Sequence, residues 1–116
     1  MSDIKIKYKG DLRTTATHVS SGSKIITDAP LDNKGKGEKF SPTDLFATAL
    51  GSCMLTIMGI TAQTYGINID DTEVTVKKIM GANPRRVSCI KIIINIYNDI
   101  SEKDRKLLIK AAHHCP

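Results

Sequence analysis

The feature that most constrains this chain is the long stretch between Asp44 and Asp70, which contains no charged residue. Its first part, LFATALGSCMLTIMGI (Leu45 to Ile60), has helical spacing and holds Cys53 near its middle. Three interpretations are open. The stretch is a membrane span, a buried core helix that contains a thiol by chance, or a helix that presents a reactive thiol.

A membrane span requires about 20 predominantly apolar residues. This window instead contains many polar residues and two glycines, and β-type segments flank it: Thr48, Gly51, Ser52, Thr56, Gly59, Thr61, Gln63, Thr64 and Asn68. We therefore predict no membrane partner.

A helix that is apolar on nearly all sides must be buried on nearly all sides. One sheet and one short helix can cover only part of it, so we predict an obligate homodimer in which a second copy covers the rest. Small residues would permit close approach there: Ala47, Ala49, Gly51 and Ser52.

Turn residues and helix caps divide the chain into short elements around this helix. Gly10-Asp11 and Ser20-Ser21-Gly22 have the composition of hairpin turns, Ser41 is a good N-cap, and Gly66 ends the central helix. We predict the order β-β-β-α-β-β-α, with strands over 4–10, 12–19, 23–30, 72–80 and 87–98, a helix over 41–65 and a last helix from Ser101. This is an α+β fold with a mainly antiparallel sheet, in a single domain over 1–116. The last helix has no C-terminal cap and no following strand, so we expect either that a closing segment beyond Pro116 is missing or that the fold closes in a different way.

The composition narrows the function class and the compartment. The net charge is +5, but the basic residues are scattered and there are three Tyr, two Phe and no Trp, so we predict no nucleic-acid partner. Three widely spaced cysteines do not form a secreted disulfide framework, and the polar N-terminus MSDIKIKYKG has no apolar signal region. We therefore expect a cytoplasmic protein. The ligand spacing around HHC is wrong for zinc, and we predict no metal.

Cys53 needs help from outside its own helix if it is to react. A free thiol has a pKa near 8.5, and the helix dipole acts mainly in the first turn, whereas Cys53 comes three turns after Ser41. Arg13 and His18, in LRTTATH, are candidate cations, although spacing alone does not place them beside Cys53. A lone cysteine in an apolar helix is more often a structural core residue. On the residues alone, Cys53 is therefore more often such a core residue than a reactive thiol. Cys89 lies in the strand predicted over 87–98, and we predict that it packs as a small hydrophobe.

The run SPTDLFATALGSCMLTIMGITAQTYGI, together with LRTTATH, TDAP and AAHHCP, resembles the OsmC/Ohr family of thiol peroxidases. The family is named for osmotically inducible protein C and for organic hydroperoxide resistance. The resemblance covers essentially the whole chain in the right order. It implies an OsmC-like fold, in which a mainly antiparallel sheet wraps around the long central helix of an intertwined homodimer with active sites at the dimer interface.

The resemblance also implies a chemistry. Cys53 would attack an organic hydroperoxide and become a sulfenic acid, Cys115 would condense with it to a disulfide, and a dithiol reductant, possibly a lipoylated protein, would restore both thiols. Arg13 would hold the Cys53 thiolate. No cofactor is needed, because sulfur carries the redox chemistry.

One position departs from the hydroperoxide-specific members of the family, which place Glu directly after the Pro that opens the helix. Here Thr43 stands at that position and Asp44 follows, so we assign the support of Arg13 to Asp44. We expect an apolar substrate pocket lined by Phe46, Leu50, Met54 and Ile57 or by their dimer mates. His18 lines the same pocket or pairs across strands.

Two functions follow from these observations. The first is a thiol-dependent peroxidase that reduces organic hydroperoxides. The alternative is a non-catalytic dimeric binding protein for an apolar small molecule, with vestigial thiols; the departure at Thr43 favours it, and the retained cysteine pair argues against it.

Overall fold

The structure is a computed structural model that describes residues 3–114. The chain divides into two compact units, residues 1–45 and 46–116. The strands are β1 (Ile4–Gly10), β2 (Arg13–His18), β3 (Lys24–Asp28), β4 (Glu73–Gly81) and β5 (Arg86–Asn95), and the α-helices are α1 (Pro42–Thr64) and α2 (Glu102–Ala112). The predicted order of elements is confirmed.

The first unit is built on an antiparallel sheet with the strand order β1-β2-β3. Both predicted turns are present, and Gly10 and Gly22 have φ values of 89° and 75°, which glycine adopts without a steric penalty. Lysine and apolar residues alternate along β1, as a strand with one polar face requires. β2 is the central strand, so side chains at its start can contact residues of β3.

A loop follows β3 and folds back on the end of that strand. It contains a short 3-10 helix over Leu31–Asn33, and its backbone N–H groups at Gly35 and Gly37 donate to Pro30 O at 2.9 Å and Ala29 O at 3.2 Å. A Cβ at Gly35 would lie 1.7 Å from Ala29 O, so only glycine fits this approach. The loop then pairs with β3 again, because Asp28 N–H donates to Phe40 O at 3.0 Å.

The helix α1 is fixed at both ends by hydrogen bonds that the sequence predicts. Ser41 Oγ accepts from the N–H of Asp44, and the Asp44 carboxylate accepts from the N–H of Ser41, each at 3.1 Å, which forms a reciprocal capping box. At the other end Gly66 has a φ of 66°, and Ile67 N–H donates to Ala62 O at 2.8 Å. This is the pattern of a Schellman motif, which satisfies carbonyls at the helix end.

The buried face of α1 is narrow and consists largely of small residues: Ala47, Gly51, Met58 and Ala62. A Cβ at Gly51 would lie 2.9 Å from Val76 Cγ2 and 3.3 Å from Val74 Cγ1, so the helix approaches β4 closely at this point. The prediction that Gly51 serves close approach of a second copy is therefore corrected. Its place is against β4 of the same chain, because this glycine lets the helix backbone reach the strand.

The second unit also contains the antiparallel hairpin of β4 and β5 and the helix α2. Ser101 Oγ caps α2 by accepting from Asp104 N–H at 3.1 Å. One buried cluster joins α1, the end of β5 and α2, and its members are Met58, Ala62, Ile96, Leu108 and Ala112. The architecture is α+β, with antiparallel sheets and two α-helices.

The opposite face of α1 is largely uncovered in the single chain. Phe46 is 63% exposed and Ile60 57% exposed, although both belong to the apolar helix that the sequence predicts to be buried on nearly all sides. By length and composition alone α1 could cross a membrane, a test that the core helix of a soluble protein also passes. The cover of this face by a second copy stays a prediction.

Candidate functional site

Arg13 opens β2 and lies directly opposite Asp28, the last residue of β3, in the antiparallel register. Residues opposite each other in such a pair have Cβ atoms about 5 Å apart, which brings their side chains into contact. The preceding turn is tight, because Asp11 and Leu12 both have positive φ values, 54° and 61°. Leu12 O accepts from Ala29 N–H at 3.2 Å, so the turn before Arg13 is bonded to the end of β3.

Two carboxylates contact the Arg13 guanidinium through the same nitrogen. Nη2 forms an ion pair with Asp28 Oδ2 at 3.5 Å and a hydrogen-bonded ion pair with Glu38 Oε1. The two partners differ in environment. The Asp28 side chain is 0% exposed, whereas the Glu38 side chain, on the returning loop, is 57% exposed.

The surroundings of Asp28 stabilise its ionised form. The N–H of Glu38 donates to Asp28 Oδ2 at 3.0 Å, and this hydrogen bond is the main reason that the pKa of Asp28 lies below its ordinary value. Burial raises the pKa, while the Arg13 charge and the N–H groups of Lys36 and Ala29 lower it further. Asp28 is therefore a buried carboxylate that remains charged.

Asp44, to which the sequence analysis assigned the support of Arg13, is in the capping box of α1. Its carboxylate accepts from Ser41 N–H, as any acidic residue at this helix position can. The support of Arg13 by Asp44 stays a prediction. Sequence reasoning missed Asp28 and Glu38 as partners of Arg13. A signal for Asp28 was present, since a hairpin centred between Ser20 and Ser21 places residue 13 opposite residue 28.

Cys53 lies near the middle of α1 and is half-buried. It is about 200° around the helix from Gly51, so it lies on the face that points away from β4. Cys53 is disulfide-bonded. Cys115, the predicted resolving cysteine, lies outside the described residues. Arg13 belongs to the first unit and Cys53 to the second, and their approach stays a prediction.

Cys89 is a free and exposed thiol, so the prediction that it packs as a small hydrophobe is wrong for this chain. It lies on β5, on the face that it shares with Lys91 and Asn95, and both of these are exposed too. The opposite face of the strand contains the half-buried isoleucines Ile90, Ile92 and Ile94. The alternation of a strand with one solvated face therefore determines the exposure of Cys89.

The predicted pocket residues occupy different environments in the single chain. His18 is exposed and its Nδ1 lies 2.6 Å from Ser21 Oγ in the turn after β2. Phe46 is exposed, while Leu50, Met54 and Ile57 are half-buried on α1. Met54 also lines a cavity of about 440 Å³ in the second unit, together with Ile90, Ile92, Ile94, Ile109, Ala112 and His113. Within residues 3–114, no cluster of three His, Cys, Asp or Glu side chains could hold a metal ion.

Comparison with known proteins assigns the chain to a family. The family model described as OsmC-like protein matches residues 35–116. The chain belongs to the OsmC-like protein family. No curated protein matches it. The match to the family model agrees with the resemblance that the sequence motifs indicate.

Solved structures agree with this assignment. A candidate osmotic stress induced and detoxification response protein from Psychrobacter arcticus 273-4 is 52% identical, with a TM-score of 0.95 over 100% of this chain and 85% of that one. An OsmC-like protein from Mycoplasma pneumoniae is 22% identical, with a TM-score of 0.82 over 100% and 83% of the two chains. The organic hydroperoxide resistance protein OhrB of Bacillus subtilis is 18% identical, with a TM-score of 0.70 over 100% and 86%. The last two show likeness of fold.

Proposed function

We propose that this protein is a thiol-dependent peroxidase that reduces organic hydroperoxides. The observation that carries the proposal is the different state of two cysteines in one chain. Cys53 is disulfide-bonded, whereas Cys89 is a free thiol. Family membership supports the assignment, because structural neighbours are described as organic hydroperoxide resistance and detoxification response proteins.

The proposed cycle has three steps: oxidation of Cys53, formation of a disulfide and its reduction. The Cys53 thiolate attacks the distal oxygen of ROOH, the O–O bond breaks, and Cys53 becomes a sulfenic acid while RO⁻ takes a proton and leaves as ROH. The Cys115 thiol displaces water from the sulfenic acid, and the two cysteines form a disulfide. An external dithiol, possibly on a lipoylated protein, reduces that disulfide by exchange and is itself oxidised to a disulfide.

The other side chains act on charge and on access. Arg13 stabilises the Cys53 thiolate and the developing alkoxide, with support from a carboxylate that the resemblance leads us to assign to Asp44. Phe46, Leu50, Met54, Ile57 and His18 form an apolar pocket that favours alkyl hydroperoxides over hydrogen peroxide. The uncovered apolar face of α1 supports a homodimer that completes this pocket, and we place the protein in the cytoplasm, where dithiol reductants are available.

A stopped-flow assay with cumene hydroperoxide and a lipoylated reductant tests the proposal on the full protein. We expect multiple turnovers for wild type and for Cys89→Ser, which removes the exposed thiol only. Cys53→Ser is expected to reduce turnover to the rate of the reductant alone. A wild-type rate no faster than that of a free small-molecule thiol would reject the peroxidase.

A non-catalytic binding protein is the second candidate, and the mostly apolar cavity beside Met54 favours it. Such a protein would bind an apolar fluorescent probe stoichiometrically and show no turnover in the same assay. Displacement of the probe by cumene hydroperoxide, together with turnover, would instead assign the cavity to the substrate of the peroxidase.

A further inference from the structure

Asp28 is a buried carboxylate to which neither the sequence motifs nor the proposed cycle gives a role. A buried charge is expensive unless it is paired and hydrogen-bonded. Asp28 has both kinds of partner, the Arg13 guanidinium at 3.5 Å and the Glu38 N–H at 3.0 Å, and each contacts Oδ2. The other carboxylate oxygen, Oδ1, takes part in neither of these two contacts.

Two buried atoms of this pair form no hydrogen bond among the residues that the structure describes, and they complement each other. The N–H groups of Lys36 and Ala29 lower the pKa of the Asp28 carboxyl, but neither forms a hydrogen bond with Oδ1. Arg13 Nε is a donor and Asp28 Oδ1 is an acceptor. They belong to side chains that already form an ion pair through Nη2 and Oδ2. In a side-on bidentate Arg–carboxylate pair, Nε–H bonds one oxygen and Nη2–H the other. That geometry would satisfy both atoms at once.

Glu38 contacts the same Nη2, but its carboxylate is exposed to solvent whereas that of Asp28 is buried. Its side chain is 57% exposed, and it is carried by a loop that also supplies the N–H bound to Asp28. Water can replace Arg13 as the partner of an exposed carboxylate at little cost, but it cannot do so for one with 0% exposure. Asp28 is therefore the fixed partner of Arg13, and Glu38 is a competitor for one nitrogen.

We propose that Asp28, rather than Asp44, is the positioning residue of Arg13. Its buried carboxylate holds the guanidinium side-on through Nε and Nη2 and leaves both N–H bonds of Nη1 for a thiolate or a peroxide. Glu38 opposes this by drawing Nη2 toward solvent. The proposal rests on the proposed function only for the effect on Cys53, since the Arg13–Asp28 pair is a property of the first unit.

The first test reads the ion pair directly and needs no activity. In ¹⁵N spectra of the reduced full-length protein, we expect the Arg13 Nε–H to exchange with water at least tenfold more slowly than that of free arginine. Glu38→Gln keeps this protection, and Asp28→Asn removes it. An Arg13 Nε–H that exchanges in wild type as fast as free arginine would overturn the proposal, whether or not Asp28→Asn folds.

The second test reads the thiol. In the reduced protein with a Cys89→Ser background, the rate of Cys53 alkylation by iodoacetamide is followed by peptide mass spectrometry between pH 5 and 9. We expect Asp28→Asn to slow the reaction at pH 7 about tenfold and move the profile to higher pH, because the guanidinium loses its orientation. Glu38→Gln is expected to accelerate it. Asp11→Asn, an exposed neighbour at which either residue tolerates the positive φ, is the control for loss of a nearby charge.

The outcomes separate this proposal from the peroxidase itself. Faster Cys53 alkylation in Asp28→Asn would mean that Asp28 only neutralises the charge of Arg13, and it would overturn the positioning role. The same alkylation assay is applied to Arg13→Gln. If Arg13→Gln slows Cys53 alkylation and Asp28→Asn leaves its rate unchanged, the positioning role is overturned too, while the peroxidase proposal is unaffected. If neither variant changes alkylation but Arg13 Nε–H is protected, the pair stands as proposed and its link to Cys53 fails with the proposed function.

Discussion

Arg13 shares Nη2 between a carboxylate that solvent does not reach and one that solvent surrounds. The energetic weight of the two pairs differs for that reason. An exposed ion pair contributes about 0–1 kcal/mol, whereas loss of one partner from a buried pair leaves an uncompensated charge. At this scale, loss of Asp28 costs the Arg13 site more than loss of Glu38.

The pH dependence of stability reports the charge on Asp28. Its pKa in the folded protein lies below the ordinary value, mainly because of the Glu38 N–H. The ionised carboxylate therefore adds stability above the unfolded-state pKa of about 3.9, and this is lost as the pH falls through the lowered folded-state pKa. We expect the Tm difference between wild type and Asp28→Asn to be largest above about pH 5 and to shrink below about pH 4. Thermal melts would contradict this if the difference grew on acidification.

The residues around Arg13 could be predicted only in part from the sequence. Arg13 is one of two candidate cations in the N-terminal strands, and the resemblance assigns it to Cys53. Asp44 is assigned to Arg13 because it is the acid nearest the family's usual Glu. Asp28 becomes a partner through the register of β2 and β3, and Glu38 through a loop that folds back because Gly35 permits contact with Ala29. A one-residue slip of register would place Asp28 on the other face, and the position of the loop depends on tertiary contacts.

At the scale of elements, one face of α1 packs closely against β4 of the same chain because Gly51 has no side chain. A methyl group at Gly51 would meet Val76 and Val74, whereas one at Gly59 meets no atom within 4 Å. We expect Gly51→Ala to lower the free energy of unfolding by about 1–3 kcal/mol through overpacking. Gly59→Ala, the matched control in the same helix, should raise it by up to about 1 kcal/mol because alanine favours the helix.

Urea unfolding of both variants, followed by circular dichroism, checks this difference. Equal effects of the two substitutions would contradict the close approach of α1 to β4, since helix propensity alone treats both sites alike.

Local signals predicted most of the elements, because caps and turn glycines mark their ends. The predicted end of β5 at Asn98 was three residues too long. The strand stops at Asn95, which pairs with Glu73, the first residue of β4. Beyond that pair the segment that precedes β4 turns away at Asp71, which has a φ of 68°, and Ile96 enters the core instead. The end of a strand is set by its partner, which the strand's own sequence does not show.

At the scale of the whole molecule, the single chain leaves large apolar side chains uncovered on α1, including Phe46 and Ile60. Soluble proteins rarely expose such contiguous surface unless a partner covers it. We expect wild type to sediment as a dimer at micromolar concentration, and Phe46→Asp to shift it toward monomer by placing a charge in the interface. Analytical ultracentrifugation distinguishes the two.

Asn68→Asp is the control for that experiment. It adds the same charge at an exposed position and can keep the hydrogen bond to Asp70 N–H, which measures 2.9 Å. This control should remain dimeric. A wild-type monomer at micromolar concentration would contradict the dimer, and an equal effect of both variants would assign the dissociation to charge alone.

The central claim is that Cys53 is the sulfur that hydroperoxide oxidises. The most direct measurement traps the sulfenic acid with dimedone after one equivalent of cumene hydroperoxide, in a Cys115→Ser variant that cannot form the proposed disulfide. We predict a dimedone adduct on the Cys53 peptide and none on the Cys89 peptide, with loss of the adduct in Arg13→Gln. An adduct confined to Cys89, or none on any cysteine while peroxide is consumed, would contradict the claim.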